Sequence, residues 1–512
     1  MKSRFLYLRT YLTCFSIMLF GYSLAQQPVT PGASPEAKAL LKYMQSLTGK
    51  YTLSGQHNFP ASGERNTLFA ADYIGKTPVV WSQDFGFSKE GDKDSYLSRP
   101  AIIQEAIRQH KKGAIIAFCW HAVPPTAEEP VTFQPLPGAD TSAPLASVQG
   151  RLTEKQFRDI LTPGTKLFKQ WAKQVDVIAE YLKQLQAEKV PVLWRPYHEM
   201  NGDWFWWGGR YEGKYTTAAL YKQIFDRLVK YHKLNNLVWV WSVDRPSKPG
   251  REFVNYYPGN QYLDILAIDI YGNDFSQSYY DGLLALSAGK PVALGEVGNP
   301  PAPEILEKQP DWIYWVVWSG MVRGTSKADY ERLLASPRVL FFEDPAFISG
   351  TIEYRTSCGF EPVILTRTAD FTGSWKLNEC ESTLPHGMGA ESTAYKLIID
   401  HKNNLLDVKS FSVSEWSDDE VTSQGLTLDG KDNRSTVFMN SPRIQNACWS
   451  AGKDTLTILS RISVNFGKNP VEIKSAEVWV LKKRGKKLEI RQTVNDIMGS
   501  GERKSILFYD KQ

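Results

Sequence analysis

Between about residues 50 and 340, short runs of β-branched and aromatic residues alternate with longer amphipathic stretches. The stretches repeat apolar residues at three- and four-residue intervals, which is typical of helices that bury one face. The clearest of them are 101–112, 165–188, 216–234 and 327–335. Eight runs are candidate strands: 51–56, 78–85, 114–121, 191–199, 237–244, 263–271, 291–297 and 315–318. Eight strand-helix units in sequence predict an α/β fold, a (β/α)8 TIM barrel.

The chain has 512 residues, which is long for one ordinary domain. After Pro345 the helical periodicity fades, and short alternating runs appear between Gly, Asn and Asp residues. We therefore expect a barrel domain over 38–345 and a smaller, mostly antiparallel β domain over 360–512. Gly373-Ser374-Trp375 is similar to the Gly-x-Trp opening of lipocalin-like barrels, although a carbohydrate-binding β-sandwich would give the same pattern. The Pro-rich segment 124–150 is predicted to be a long loop at the barrel mouth.

Residues 1–25 have the layout of a secretory signal peptide. Lys2, Arg4 and Arg9 precede an apolar run that ends in Ser23-Leu24-Ala25, so the mature chain is expected to begin near Gln26. A membrane anchor is the alternative, but the run is short for a spanning helix. The sequence thus predicts an exported protein, in the periplasm or the extracellular space, without a membrane span after cleavage.

Four cysteines remain after removal of the signal: Cys119, Cys358, Cys380 and Cys448. Export permits disulfides, and Cys380 could pair with Cys448. The spacing has no close Cys-x-x-Cys pair, and we expect no His or carboxylate cluster to complete a metal site with them. No metal or cofactor is predicted.

Charge excludes some partners, and aromatic content suggests another. The net charge of +5 is spread without a basic block, so nucleic acid is not an expected partner, and oligomeric state stays open. The 16 tryptophans are concentrated in short aromatic stretches. Most should fill cores, but an exposed indole beside amides and carboxylates suits the apolar face of a sugar ring.

The fourth candidate strand ends in the run Trp-Arg-Pro-Tyr-His-Glu-Met-Asn-Gly-Asp-Trp-Phe-Trp-Trp-Gly, residues 194–208. Ionised groups are rarely buried without partners, so this cluster should line a polar cleft. It also lies at the carboxyl end of a barrel strand, where the active sites of such barrels are built.

The seventh candidate strand delivers a single carboxylate, Glu296, between Gly295 and Gly298. It lies three strand-helix units after Glu199 and thus across the barrel mouth. In retaining glycosidases one carboxylic acid protonates the leaving oxygen while a second carboxylate, about 5 to 5.5 Å away, attacks the anomeric carbon. An isolated glutamate would more often be a surface group, but the two contexts together predict a two-carboxylate hydrolase.

The run His-Glu-Met-Asn-Gly-x-Trp-Phe-Trp-Trp-Gly and the later Gly-Glu-x-Gly resemble glycoside hydrolase family 26 over about residues 38–340. The resemblance implies a retaining (β/α)8 enzyme with Glu199 as acid/base and Glu296 as nucleophile. It also implies β-1,4-mannan, glucomannan or galactomannan as substrate, with xylan or mixed-linkage β-glucan as alternatives. A non-catalytic glycan-binding protein is less favoured, because binding does not require both carboxylates.

The same resemblance implies further substrate-binding residues. His198 would hold the sugar or the neighbouring carboxylate, Tyr271 would hydrogen-bond the nucleophile, and His121 would contact sugar hydroxyls. Trp204 and Trp318 resemble aromatic subsite walls, with Trp315 as a competing choice that could equally be a core indole. The weaker candidates, for which ordering of the site is an even alternative, are Arg195, Asn201, His57 and Asp84.

Overall fold

Eight parallel strands close into a barrel in the N-terminal part of the chain. The computed structural model describes residues 26–86, 98–128, 131–138, 143–361, 369–384, 393–413, 418–437, 440–450, 453–466, 469–482, 485–495 and 501–512. The barrel strands are β1 (Thr52–Leu53) with β2 (Gly55–His57), β3 (Val80–Asp84), β4 (Ile115–Trp120), β5 (Val192–Pro196), β6 (Leu237–Asp244), β7 (Ile265–Ile270), β8 (Val292–Val297) and β9 (Trp312–Val317). Strand β9 pairs with both β8 and β2, which closes the ring. The predicted TIM barrel is confirmed.

Twelve α-helices are described before, between and after the barrel strands. They are α1 (Pro35–Leu47), α2 (Arg65–Ile74), α3 (Arg99–Lys112), α4 (Glu154–Ile160), α5 (Lys166–Ala187), α6 (Thr217–Phe225), α7 (Phe253–Tyr256), α8 (Gln277–Ser287), α9 (Pro303–Lys308), α10 (Lys327–Ala335), α11 (Pro345–Gly350) and α12 (Ile352–Ser357). Thr165 caps α5 by accepting a hydrogen bond from the Phe168 amide, and Gly113 ends α3 with a φ of 116°. The helix predicted at 216–234 is α6 followed by a π-helical turn, Asp226–Tyr231.

The first and the eighth strands depart from the prediction in different ways. The first strand is broken at Ser54, and its first half also pairs with a short outer strand, β10 (Val339–Leu340). The eighth strand was predicted at 315–318, but it starts at Trp312 and ends at Val317, so that Trp318 follows the strand.

The barrel interior is apolar at one end and polar at the other. Apolar side chains such as Val240, Ala267 and Val316 share a core cluster with Leu40 and Met44 of α1. Helix α1 therefore packs at the amino-terminal end of the strands. The carboxyl ends of the strands carry buried polar groups instead, so the candidate reactive groups lie at that end of the barrel.

A second sheet contains ten antiparallel strands, as expected for a β-rich region. They are β11 (Gly373–Leu377), β12 (Lys396–Lys402), β13 (Leu405–Ser412), β14 (Glu420–Thr427), β15 (Asp432–Val437), β16 (Ser441–Trp449), β17 (Thr455–Phe466), β18 (Asn469–Lys482), β19 (Lys487–Asn495) and β20 (Glu502–Lys511). Their order is that of one continuous meander in which β11 pairs with β20. Trp375 of the Gly-x-Trp motif is fully buried, and its indole N–H donates to the Phe371 carbonyl at 2.9 Å. All ten strands belong to one hydrogen-bonded antiparallel sheet. The choice between a lipocalin-like barrel and a carbohydrate-binding β-sandwich stays a prediction.

The described part of segment 124–150 packs back onto the barrel mouth. Thr132 bridges to Ser147, Gln149 bridges to Phe205, and the Phe133 ring lies 5.6 Å from that of His121. This segment therefore contributes to the surroundings of the candidate site.

The cysteine prediction needs one correction. Cys380 and Cys448 are free and exposed, so the suggested disulfide between them is absent. Cys119 is buried on β4 beside Asp84 and His121. The predicted signal peptide, 1–25, lies outside the described residues. Within the described ranges, no helix has both the length and the apolar character to cross a membrane.

Candidate active site

The loop after β5 holds Glu199 in an uncommon backbone conformation. Tyr197 and Glu199 both have a φ of 51°, a left-handed value that non-glycine residues rarely adopt. The Tyr197 hydroxyl accepts a 2.9 Å hydrogen bond from the Trp171 indole, and the Gly202 amide donates to the Glu199 carbonyl at 2.8 Å. Such conformations persist where the surroundings over-determine them, often at functional sites. The strand predicted at 191–199 thus ends at Pro196, and the left-handed residues aim the next side chains into the mouth.

Glu199 is 9% exposed and has one side-chain hydrogen bond donor among the described residues. The Trp204 indole N–H donates to its Oε2 at 2.5 Å. Burial, together with the charges of Asp269, Glu296 and Asp244, holds the pKa of Glu199 well above its usual range. The carboxyl group is therefore favoured in its protonated form, as a proton donor requires.

Glu296 lies on β8 directly after a β-bulge. Leu294 pairs with Ile268 but Glu296 pairs with Asp269, so Gly295 is an extra residue opposite β7. The Arg195 guanidinium donates to Glu296 Oε1 at 2.5 Å, and the Tyr271 hydroxyl donates to Oε2 at 2.6 Å. Both oxygens of Glu296 thus act as acceptors, which suits a carboxylate that attacks an electrophile.

Arg195 links Glu296 to a second buried carboxylate. Its guanidinium also donates to Asp269 at 2.8 Å and to the Ser242 hydroxyl at 3.3 Å. Burial outweighs the Arg195 charge and raises the pKa of Asp269. Asp269 and Ser242 were missed by the sequence analysis. Asp269 could have been found, because it shares a strand face with the candidate Tyr271 two residues later.

Gly295 leaves the space that this network occupies. A Cβ at residue 295 would lie 2.6 Å from Asp269 Oδ1 and 3.3 Å from Arg195 Cδ. We expect Gly295→Ala to displace Arg195 and with it Glu296, at a cost on the order of 10²-fold in kcat, since about 1 Å of misplacement has such effects. Kinetics on a soluble substrate and circular dichroism at matched temperature check this. Wild-type kcat in a folded Gly295→Ala protein would show that the contact is unimportant.

Two histidines connect Glu296 with Asp84. His121 Nδ1 contacts the Asp84 carboxylate, and the Nε2 atoms of His121 and His198 are 3.1 Å apart. His198 Nε2 also lies 3.5 Å from Glu296 Oε1, so one ring nitrogen of His198 is close to both His121 and the carboxylate. Burial, aided by the charges of His121 and Arg195, lowers the pKa of His198 well below its usual value. A neutral His198 is thus positioned as a hydrogen bond donor rather than as an acid.

Three half-buried aromatic residues surround the two glutamates: Trp204, Tyr271 and Trp318. The Trp204 ring lies over Gly202, where an added Cβ would come within 2.4 Å of it. The Arg251 guanidinium, which also pairs with Asp203, lies 4.9 Å from the centre of its ring. Trp318 stacks on His57 with ring centroids 3.9 Å apart. These rings are therefore held in fixed positions while part of each remains accessible.

Two candidate substrate contacts are placed elsewhere by the structure. Trp315 is 2% exposed. Its side chain points outward from β9 and packs in the core between the barrel strands and the helices. Asn201 is 1% exposed, and its amide bonds to the main chain of Asp244 and Arg251. Both arrangements favour a structural role over contact with a sugar.

Two groups of potential metal ligands lie at the mouth: Asp84 with Cys119 and His121, and His198 with Asp269 and Glu296. In the first, Asp84 already binds His121, and burial raises the pKa of the Cys119 thiol well above its usual value. In the second, the Arg195 cation pairs with both carboxylates. Neither donor set is free for a cation, and the absence of a metal stays a prediction.

In comparison with known proteins, residues 29–336 match the sequence model of Glycosyl hydrolase family 26. The mannan endo-1,4-beta-mannosidase of Thermothelomyces thermophilus is 33% identical over 304 residues, covering 56% of each chain. That of Bacillus subtilis is 34% identical over 349 residues, 61% of this chain and 89% of the relative. This chain spans about half the length of several curated relatives. For mannan endo-1,4-beta-mannosidase A of Piromyces sp, the match covers 45% of the relative.

Solved structures give the same result. GH26A from Muricauda sp. MAR_2010_75 superposes with a TM-score of 0.56 at 40% identity, over 61% of this chain and 98% of that one. A beta-mannanase from a symbiotic protist of the termite Reticulitermes speratus, solved with a gluco-manno-oligosaccharide, has a TM-score of 0.51 at 26% identity, over 62% and 96%.

Proposed function

This chain belongs to glycosyl hydrolase family 26, and we propose that it hydrolyses β-1,4-mannosidic bonds in mannan, glucomannan or galactomannan with retention at the anomeric carbon. The observation that carries the proposal is the contrast between two carboxyl groups at one barrel mouth. Glu199 is held in its protonated form, while both oxygens of Glu296 accept hydrogen bonds from Arg195 and Tyr271. That contrast is what double displacement requires.

In the first step, Glu296 attacks the anomeric carbon as Glu199 transfers its proton to the departing glycosidic oxygen. This breaks the glycosidic bond and leaves the sugar esterified to Glu296. In the second step, ionised Glu199 removes a proton from water, the water oxygen attacks the same carbon, and Glu296 leaves as a carboxylate. Trp204 and Trp318 form the walls that hold the two sugars.

We further propose that residues 38–345 form the catalytic domain, that 360–512 form a separate β domain, and that residues 1–25 direct export. The enzyme would then meet polysaccharide in the periplasm or outside the cell.

The test is product analysis on linear β-1,4-mannan, glucomannan, xylan and mixed-linkage glucan. We expect manno-oligosaccharides whose newly formed reducing ends are β-anomers in early proton NMR spectra, because two inversions restore the configuration. Internal cleavage would release a range of lengths at once, whereas end-wise cleavage would release one product. Initial α-anomers, or products from xylan or glucan alone, would contradict the mechanism or the substrate respectively.

A further inference from the structure

The inward face of the second sheet divides into an apolar floor and a polar belt. The floor consists of buried apolar side chains: Phe371, Trp375, Leu406, Ile458, Trp479 and Leu507. The polar belt consists of Gln424, Gln445, Ser460, Glu477, Gln492 and Ser505. Side chains on a strand alternate between its two faces. Each belt residue lies an even number of positions from a buried apolar residue on the same strand, so its side chain also points inward. Their neighbours Leu459, Arg491 and Lys504 are exposed, which agrees with that orientation.

The strand register pairs belt residues on neighbouring strands, except between β17 and β18, where Ser460 pairs with Ser475 and Glu477 pairs with Ile458. Gln445 pairs with Ser460 across β16 and β17, and Gln492 pairs with both Glu477 and Ser505 across β18, β19 and β20. Gln445 also donates to Gln424 at 3.3 Å, although their strands β16 and β14 lie near opposite edges of the sheet order. The polar belt thus runs around the interior wall rather than along one strand.

The belt contains hydrogen-bonding groups that folding alone does not require. The Glu477 carboxyl accepts from the Trp479 indole at 2.8 Å and from Gln492 at 3.1 Å, and burial raises the pKa of Glu477. Ser441, four residues before Gln445 on β16, has a buried hydroxyl without a hydrogen bond partner among the described residues. Apolar side chains at these positions would avoid the cost of burying polar groups.

Stacked rings close the floor. The Phe371 and Trp449 rings are 5.7 Å apart at an interplanar angle of 3°, and Trp479 meets Phe371 edge-on at 5.7 Å. A polysaccharide chain cannot pass through such a floor. A ligand at the belt must therefore be a short molecule or the end of a chain.

We propose that the polar belt is a binding site for a short neutral saccharide, of the kind that the barrel domain releases. Amides and hydroxyls donate to and accept from vicinal sugar hydroxyls, and Trp479 supplies an apolar surface beside them. Arg443 interacts electrostatically with Glu477 and opposes the rise in the pKa of that carboxyl, so a bound anion would compete with Glu477 for this cation. An apolar ligand would offer the belt groups no hydrogen bonds, whereas sugar hydroxyls can donate to and accept from them. The saccharide class rests on the proposed function.

Hydrogen exchange on the full-length chain tests this, in a Glu296→Ala background that does not consume the ligand. With mannotriose at ten times its Kd, we expect about tenfold slower amide exchange in peptides from β16 to β20. Gln492→Met and Gln445→Met, which lie on different strands and keep side-chain length, should remove this slowing. Lys504→Gln, an outward neighbour of the belt, should keep it. Unchanged melting temperatures identify the variants that remain folded.

The outcomes separate this inference from the proposed function. Mannan hydrolysis by the parent protein with no slowing in these strands, for mannotriose, xylotriose or cellotriose, overturns the inference alone. Slower amide exchange with decanoate, but with none of the trisaccharides, also overturns the inference. So does slower exchange with mannotriose that persists in both methionine variants. Slowing with mannotriose in a parent protein that hydrolyses no polysaccharide supports the site and overturns the catalytic proposal.

Discussion

Replacing Glu296 by alanine is expected to lower kcat on β-1,4-mannan by about 10⁴-fold or more, because the covalent intermediate can no longer form. Arg195 would keep its hydrogen bonds to Asp269 and Ser242, so substrate binding should change much less than kcat. The measurement is steady-state release of reducing ends at saturating mannan. Glu307→Ala, which removes an exposed glutamate on the next helix, is the matched control and should retain parental activity.

Azide distinguishes loss of the nucleophile from general damage. In Glu296→Ala the small anion can enter the space left by the carboxylate and attack from the same side, while Glu199 still protonates the leaving oxygen. One inversion gives an α-mannosyl azide, and turnover should recover in part. Parental activity in Glu296→Ala, or a β-mannosyl azide from it, would show that another group is the nucleophile.

Replacing Glu199 by glutamine is expected to reduce hydrolysis of mannan by about 10² to 10⁴-fold, the usual contribution of general acid–base catalysis. The loss should depend on the leaving group, since an aryl mannobioside with an acidic phenol needs no proton to depart. With that substrate the first step should stay fast and the glycosyl-enzyme should accumulate, giving a burst of phenol. An equal loss on both substrates would contradict the assignment of Glu199 as the acid.

The pH dependence of activity is a second test of the role of Glu199. Because the pKa of Glu199 is raised, the parent should keep its acid protonated at a pH where an exposed glutamate is ionised. Activity should then fall as pH rises through that raised pKa, and Glu199→Gln should lack this basic limb. A basic limb that is unchanged in the variant would assign the titration to another group.

Much of the fold could be predicted from the sequence, because apolar residues recur at different intervals in strands and in helices. The clearest helix, predicted at 327–335, has those bounds in the structure. The Trp315 question could also have been settled, since residues three apart on a strand point to opposite faces and only Trp318 could reach the mouth. The predicted strand, 315–318, contained both residues, so this test was available from the sequence; the prediction missed only residues 312–314 at the start of the strand.

The parts of the site that could not be predicted depend on contacts between distant segments. Arg195 was a weak candidate, and its contacts with Asp269 and Glu296 join strands β5, β7 and β8. The bulge at Gly295 arises from the pairing register of two strands, which no local pattern encodes. Nor could the sequence show that the Asn201 amide is used by the main chain of Asp244 and Arg251.

The left-handed backbone at Glu199 has a consequence for engineering. A glycine adopts that conformation with less strain, so the residue with the least backbone cost at 199 is one that cannot donate a proton. Selection for heat resistance alone, without a turnover assay, would therefore favour replacing the acid. Libraries built to stabilise this scaffold should keep residues 197 and 199 fixed and seek gains elsewhere.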